Sequence, residues 1–257
     1  MTPYEFRQSV RRGEFTGNTA GICDGYIQAN VAILPKEVAD DFAGFCGANP
    51  QACPILAVSE AGSPYLPTLG KDIDVRTDVP GFFIYRDGKF AGEERTLLQL
   101  WRDDFVTFAI GCSYSFEHIL KTAGLRIRHL ELGYGVPAYN TNIPNKQVGP
   151  FGGNLVVSMR PFNAADTIRA IEITSGYPNV HGAPVHFGDP AAIGIRDVDE
   201  IDYGGRSEVR DGEYPVFWAC GVTPQVAMIS ANLPLGIGHA PGHMLVTDLP
   251  LSTLTSN

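Results

Sequence analysis

The sequence contains no apolar run close to the roughly 20 residues that a membrane-spanning helix needs. It has five cysteines but no C-x-x-C pair, which argues against a zinc knuckle and against a thioredoxin-like redox motif. No basic block offsets the net charge of −9, and this argues against nucleic acid and anionic membranes as partners. The first 15 residues lack the apolar centre of a secretory signal. We therefore expect a cytoplasmic protein whose cysteines are reduced.

The composition is that of a globular protein with a substantial core. Hydrophobic residues make up 44% of the 257 residues, and charged residues make up 18%, which is too few for a disordered chain. We expect a single unit over 1–257, built of two interleaved subdomains with a boundary somewhere in 70–150. The apolar content also allows a homo-oligomer.

Local patterns in the first half predict both helices and strands. Thr2 caps a helix that has Pro3 at its first position and Glu5 completing a capping box. The other predicted elements are a helix from Pro35, a buried strand at 55–58, a strand at 82–85 followed by a turn at Asp87-Gly88, a helix at 96–110 and a helix from Ser115 to Gly124.

The second half is rich in glycine and proline, and its apolar runs are short. These runs predict buried strands at 155–159, 216–220 and 244–246, with helices at 163–173 (capped by Asn163) and from Thr223. Mixed strands and helices point to an α/β or mixed α+β fold.

The segment 111–117 places reactive side chains ahead of a predicted helix. An anion in such a place is stabilised by unpaired backbone N–H groups, so Cys112 could ionise and become nucleophilic. Glu117 could act as a general acid or base if it is partly buried. The alternative is that Cys112 is a small core residue and that Ser113 or Ser115 only caps the helix.

The segment 139–160 offers groups that bind carboxylates. Asn140 and Asn142 can donate amide hydrogens, Ser158 a hydroxyl hydrogen, and Arg160 two parallel hydrogen bonds. The alternative is an irregular loop held by its own asparagines, with Arg160 in a structural ion pair.

Two further loops concentrate histidines. His181, His186 and Asp189 form a candidate metal-ligand or acid–base set, although no standard zinc signature is present, and His181 is also a candidate for binding substrate. His239 and His243 are candidate catalytic residues in a loop where Pro241 and Gly242 disfavour a helix. The alternative in both loops is that the histidines hydrogen-bond the backbone.

These segments carry a resemblance to the bacterial hydro-lyase family related to D-glutamate cyclase. The similar motifs occur in order over nearly the whole chain: CDGYIQAN at 23–30, GCSYSFE at 111–117, YNTNIP at 139–144, VSMRP at 157–161, HGAPVHFGDP at 181–190, PVFWACGVTPQ at 215–225 and HAPGHMLVTD at 239–248. The resemblance implies an α/β sandwich part with a smaller α+β subdomain. It also implies a lyase acting on a small carboxylate-bearing metabolite, with loss of water from D-glutamate to give 5-oxo-D-proline as one specific form.

A mechanism that fits these residues has Arg160 and Asn142 holding the carboxylates and His186 or His239 taking a proton from the amine. Glu117 or Asp189 would protonate the departing oxygen if burial raised its pKa. Cys112 could instead form a thioester.

Two rival interpretations stay open. One is a metal-dependent hydrolase or lyase that uses the histidine loops, and the other is a non-catalytic module that binds a carboxylate or an amino acid. Nothing in the sequence requires an organic cofactor, and a divalent metal is left open.

Overall fold

The computed structural model describes residues 1–254, which form two antiparallel sheets with helices packed around them. The strands within this part of the chain are β1 (Tyr26–Pro35), β2 (Ile55–Val58), β3 (Phe82–Arg86), β4 (Lys89–Glu94), β5 (Phe105–Gly111), β6 (Ala138–Pro144), β7 (Asn154–Asn163), β8 (His186–Phe187), β9 (Glu213–Ala219), β10 (Gly236–His239) and β11 (Leu245–Pro250). The helices are α1 (Pro3–Arg11), α2 (Ala39–Ala48), α3 (Val75–Asp78), α4 (Tyr114–Thr122), α5 (Arg128–Leu132), α6 (Ala164–Ser175) and α7 (Thr223–Ser230).

The first sheet has the order β2-β5-β1-β10-β3-β4, with β11 also paired to β1. The second sheet has the order β6-β7-β9-β8. This mixture of helices and antiparallel sheets confirms the α+β class. The chain leaves the first sheet after β5 and returns to it at β10, while the two-subdomain division stays a prediction. Over residues 1–254, no helix combines the length and the apolar character that crossing a bilayer would require.

The main core lies between the two sheets, and β5 shows why. Side chains alternate between the two faces of a strand. Val106, Phe108 and Ile110 therefore point into the core shared with α2 and the second sheet, whereas Phe105 and Ala109 point into a separate core on the opposite face. A strand that is buried on both faces is apolar along most of its length, and Thr107 is the one polar residue of β5.

Most local predictions are confirmed. The capping box of α1 forms, with Thr2 Oγ1 accepting from the Glu5 N–H at 3.2 Å. Asn163 caps α6 through the Asp166 N–H at 2.8 Å. Asp87 and Gly88 both have positive φ, as the two-residue turn between β3 and β4 requires.

The helix predicted at 96–110 is wrong, because most of that segment is a loop followed by β5. Of the apolar residues whose spacing suggested a helix, Leu97 and Trp101 lie in the loop and Phe105 and Phe108 lie in β5. A short apolar run such as β5 cannot be told from a buried helix by periodicity alone. The strand at 55–58 exists but is largely exposed rather than buried, because β2 lies at the edge of its sheet. Ser115 does not cap α4: it lies inside the helix, and its hydroxyl accepts from the Gln28 N–H at 2.9 Å.

A buried ion cluster joins the two sheets. Glu117, on α4, is 2% exposed, and Arg160, on β7, is 1% exposed. Arg160 Nε donates to Glu117 Oε1 at 2.8 Å, and His129 Nε2 lies 3.2 Å from the same oxygen. The guanidinium also stacks on the rings of Phe116 and Trp218. The cluster thus ties the helix that follows β5 to the centre of the second sheet.

The Glu117→Gln substitution is expected to lower the free energy of unfolding by about 3–5 kcal/mol, because it leaves the Arg160 charge buried without its counter-ion. Urea unfolding followed by tryptophan fluorescence measures the effect. The matched control is Glu131→Gln, which removes the partner of an exposed arginine, Arg126, and should have a far smaller effect. Equal losses for the two variants would contradict a structural role for the buried pair.

Candidate active site

A cavity of about 260 Å³ lies where strands of both sheets end. Strands β5, β9 and β10 all terminate at it, and each leads directly into residues of its wall. The wall consists of Asn18, Asn30 and residues within five short segments, at 112–114, 135–138, 203–205, 220–222 and 239–244. A cavity of this size suits a small metabolite, since pockets for drug-sized ligands run from about 300 to 1,000 Å³.

Two helices begin at this cavity. β5 leads into α4 through Cys112 and Ser113, and β9 leads into α7 through residues 220–222. The dipole of a helix adds positive potential at its start. The Ser115 and Thr223 N–H groups donate to the Cys112 and Cys220 carbonyls at 3.0 and 2.9 Å, so at these starts the potential comes from the dipole rather than from free N–H groups. Both helix starts therefore favour an anionic group in the cavity.

Asn30 connects the two helix starts. Its Nδ2 donates to the Gly111 carbonyl at 2.7 Å, and the backbone of Gly221 packs directly on its side chain. A Cβ at position 221 would lie 2.0 Å from Asn30 Cγ. Only glycine therefore allows this approach of the second helix start to the first sheet.

His239 lies at a gap in the first sheet. β11 pairs with β1 as far as Ala29, and β10 pairs with it from Ala32, so the two strands leave the main chain of Val31 open on that side. The imidazole fills this gap: the Val31 N–H donates to His239 Nδ1 at 3.1 Å. The ring is 1% exposed, and within residues 1–254 its Nε2 has no hydrogen-bond partner. A cavity wall residue thus carries an unused ring nitrogen.

Burial lowers the pKa of His239 to about 4, so the ring is neutral at neutral pH. The Val31 carbonyl lies 3.3 Å from the same Nδ1 that the Val31 N–H reaches. The Val31 N–H can donate to Nδ1 when that nitrogen has no proton, and the Val31 carbonyl can accept from Nδ1 when it has one. Both tautomers are thus supported, so Nε2 can act as a donor or as an acceptor without movement of the ring.

The side chains that line the cavity carry no formal charge at neutral pH. Burial raises the pKa of the Cys112 thiol far above its ordinary value, and it also raises the pKa of Cys220 and of Tyr114. The surroundings of Cys112 therefore disfavour the nucleophilic thiolate considered for this residue.

The structure places two of the predicted site residues in this cavity, Cys112 and His239. Arg160 lies behind the wall, where its guanidinium donates to the hydroxyls of Ser113 and Ser158 at 3.1 and 3.0 Å. Arg160 thus forms the structural ion pair that was the alternative for this residue, and its binding of substrate stays a prediction.

The raised pKa proposed for Glu117 is wrong. Burial by itself raises the pKa of this carboxyl, but the neighbouring His129 and Arg160 outweigh burial and hold it below the ordinary value. Glu117 is therefore ionised and is a poor proton donor.

His181 lies outside the cavity, against a second one of about 460 Å³. Its Nδ1 faces the Gln51 carbonyl at 2.9 Å, and burial lowers its pKa to about 4. The conformation at this residue is left-handed, with φ of 82°.

The other predicted residues lie elsewhere on the surface. His186 Nε2 faces the Asp189 carbonyl at 2.7 Å, and the Asp189 carboxylate accepts from the Ala191 N–H. His243 points both ring nitrogens at carbonyl oxygens. Asn140 and Asn142 are exposed. Across residues 1–254, no three or more His, Cys, Asp or Glu side chains are placed to hold a metal ion, so the predicted ligand set does not form.

Several wall residues were missed by reasoning from the sequence, among them Asn18, Asn30, Tyr203 and Cys220. One signal could have found Cys220. In two places of the sequence an apolar strand is followed directly by a cysteine and then by a helix, with one residue between cysteine and helix at Cys112 and two at Cys220. The asparagines and Tyr203 reach the cavity only through the tertiary fold.

Comparison with known proteins agrees with the motifs. The D-glutamate cyclase family profile matches residues 106–248. A protein of Burkholderia lata named "Putative hydro-lyase" is 58% identical over 99% of both chains, and a protein of the same name from Paraburkholderia phytofirmans is 59% identical over 98% of both chains. A solved structure of a nitrogen repressor-like protein from Methanococcus jannaschii covers 91% of both chains at 11% identity, but its TM-score of 0.37 is too low to inform on fold or function.

The family profile covers more than half of the chain, and the hydro-lyase relatives match it from end to end. The sequence-based resemblance is confirmed: the chain belongs to the D-glutamate cyclase family of lyases.

Proposed function

We propose that the cavity bounded by Cys112, Cys220 and His239 is the active site of a hydro-lyase that removes water from a small carboxylate-bearing metabolite. The specific reaction we propose is the cyclisation of D-glutamate to 5-oxo-D-proline. The observation that carries the proposal is the buried, neutral His239, whose Nε2 has no partner among the described residues and which lies beside two helix starts.

The cavity supports a reaction in which the amine attacks as a neutral group. No carboxylate lines the wall to pair with an ammonium. Desolvation and the positive ends of two helices both disfavour a cation there, so the pKa of a bound ammonium would fall. A free amine, which is the nucleophile in ring closure, is thereby favoured.

The starts of α4 and α7 would hold the two carboxylates of the substrate. An anion at each helix start places the ends of a short dicarboxylate within one small cavity. Ring closure then gains from the fixed proximity of amine and carboxyl carbon.

His239 would carry protons from nitrogen to oxygen. The amine nitrogen forms a bond to the γ-carboxyl carbon, and one carbon–oxygen bond of that carboxyl breaks. The two protons that the ammonium loses leave with the departing oxygen as water, so no net proton is taken up or released. With the Nδ1–H of His239 donating to the Val31 carbonyl, Nε2 accepts a proton from the nitrogen to give an imidazolium and then donates that proton to the departing oxygen.

Wild-type protein incubated with D-glutamate is expected to form 5-oxoproline, which proton NMR detects directly, at an initial rate above that with L-glutamate. Formation of no product from either enantiomer by folded protein would exclude the cyclase reaction. The proposed hydro-lyase activity would then apply only to a small carboxylate other than glutamate.

Replacement of His239 should lower the turnover rate without unfolding the protein. His239→Gln is expected to lower kcat by about 10²–10⁴-fold while the protein stays folded, because a glutamine side chain cannot shuttle a proton. The matched control is His186→Gln, at a half-buried position outside the cavity, which should keep wild-type turnover. Full activity in His239→Gln would contradict the proposed role.

The pH dependence of turnover should reflect the lowered pKa of His239. The neutral ring is the active form, so the part of the rate that depends on it is lost as the pH falls through about 4, not through the ordinary histidine value of about 6.5. The kcat profile of protein shown by circular dichroism to be folded at each pH checks this. An acid limb near pH 6.5 would contradict the assignment.

A further inference from the structure

Two thiols enter the cavity from different sheets. Cys112 follows β5 of the first sheet, and Cys220 follows β9 of the second sheet. Each cysteine stands just ahead of a helix, and both side chains line the same 260 Å³ space. The cyclisation described above uses neither thiol, so the pair is left without a role.

The surroundings of the two sulfur atoms differ. Burial raises the pKa of both, but Cys112 also lies near two groups that carry negative charge when ionised, Cys220 and Glu117. Arg160 and a backbone N–H oppose the rise in pKa at both sulfur atoms, the N–H being that of Tyr114 at Cys112 and those of Gly221 and Val222 at Cys220. At Cys220, no negatively charged group within residues 1–254 adds to the effect of burial. The surroundings therefore disfavour a thiolate at both positions, and at Cys220 through burial alone.

We propose that Cys220 and Cys112 act as an acid–base pair on opposite faces of the substrate α-carbon, so that the protein exchanges the α-proton of glutamate and interconverts its enantiomers. This rests on the proposed function for the location of the substrate. It adds a second reaction at the same site, one that would convert L-glutamate into the D form that the cyclisation consumes.

The proposed step is balanced without a redox partner. The Cα–H bond breaks, the proton goes to the Cys220 thiolate, and the electron pair stays on the α-carbon and spreads into the α-carboxyl group. The Cys112 thiol then gives its proton to the opposite face of that carbon. The negative charge has moved from one sulfur to the other, and the reverse sequence converts the second enantiomer.

The helix starts explain how the intermediate would be stabilised. Negative charge builds up on the α-carboxyl oxygens as the proton leaves. These oxygens would lie at a helix start, where the helix dipole favours added negative charge. The Nε2 of His239, buried and unpartnered within residues 1–254, supplies a further hydrogen-bond donor on the cavity wall.

The test is to incubate the protein with L-glutamate and, separately, D-glutamate in deuterated water. The α-proton signal is followed by NMR, and the enantiomers are separated by chiral chromatography. Wild-type protein is expected to replace the α-proton of both enantiomers with deuterium. Cys112→Ser and Cys220→Ser should each slow this exchange by about 100-fold or more. Cys23→Ser, at a cysteine outside the cavity, should leave it unchanged.

The outcomes separate this proposal from the cyclisation. Formation of 5-oxoproline without α-proton exchange would overturn the acid–base pair and leave the cyclase intact. Exchange by wild-type protein without formation of 5-oxoproline would exclude the cyclase reaction. If that exchange were lost in both Cys112→Ser and Cys220→Ser, the result would support the acid–base pair. Wild-type exchange that survives both substitutions, or no exchange and no product at all, would overturn the pair.

Discussion

The ion pair between Glu117 and Arg160 is a buried charge contact between the two sheets, and the position of α4 against the second sheet depends on it. Arg160 belongs to the second sheet and Glu117 to the helix that follows β5 of the first sheet, and both charges are almost fully buried. A buried pair adds little net stability compared with apolar side chains, but its geometry is specific. Because Arg160 also donates to Ser113, the same guanidinium sets where α4 starts and hence the position of one wall of the cavity.

Local chemistry made several parts of the fold predictable. The caps at Thr2 and Asn163 and the turn at Asp87-Gly88 each depend on side chains within a few residues, so the sequence is sufficient. The strand β5, which lies between β2 and β1, was not predictable in this way. Its burial on both faces comes from the second sheet and from the loop segments packed on the other side, and those neighbours lie far away in the sequence.

The candidate site was predictable only in outline. Histidines in loops rich in glycine and proline were a sound guide to His239 but not to His186 or His243, whose nitrogens are used by nearby carbonyl groups. Which loops converge depends on the order of the strands. β10 lies next to β1 although about two hundred residues separate them in the chain, and this neighbour relation brings His239 to the gap beside Val31.

The support of His239 by main-chain atoms has a consequence for how the protein tolerates sequence change. The groups that orient the imidazole are the N–H and the carbonyl of Val31, and every amino acid except proline supplies both. Exchanges of the side chain at position 31 would alter the packing beneath the sheet without removing the hydrogen bonds that aim the ring. The orientation of this histidine therefore depends on the path of the backbone, and it can be kept when the side chains around it diverge extensively.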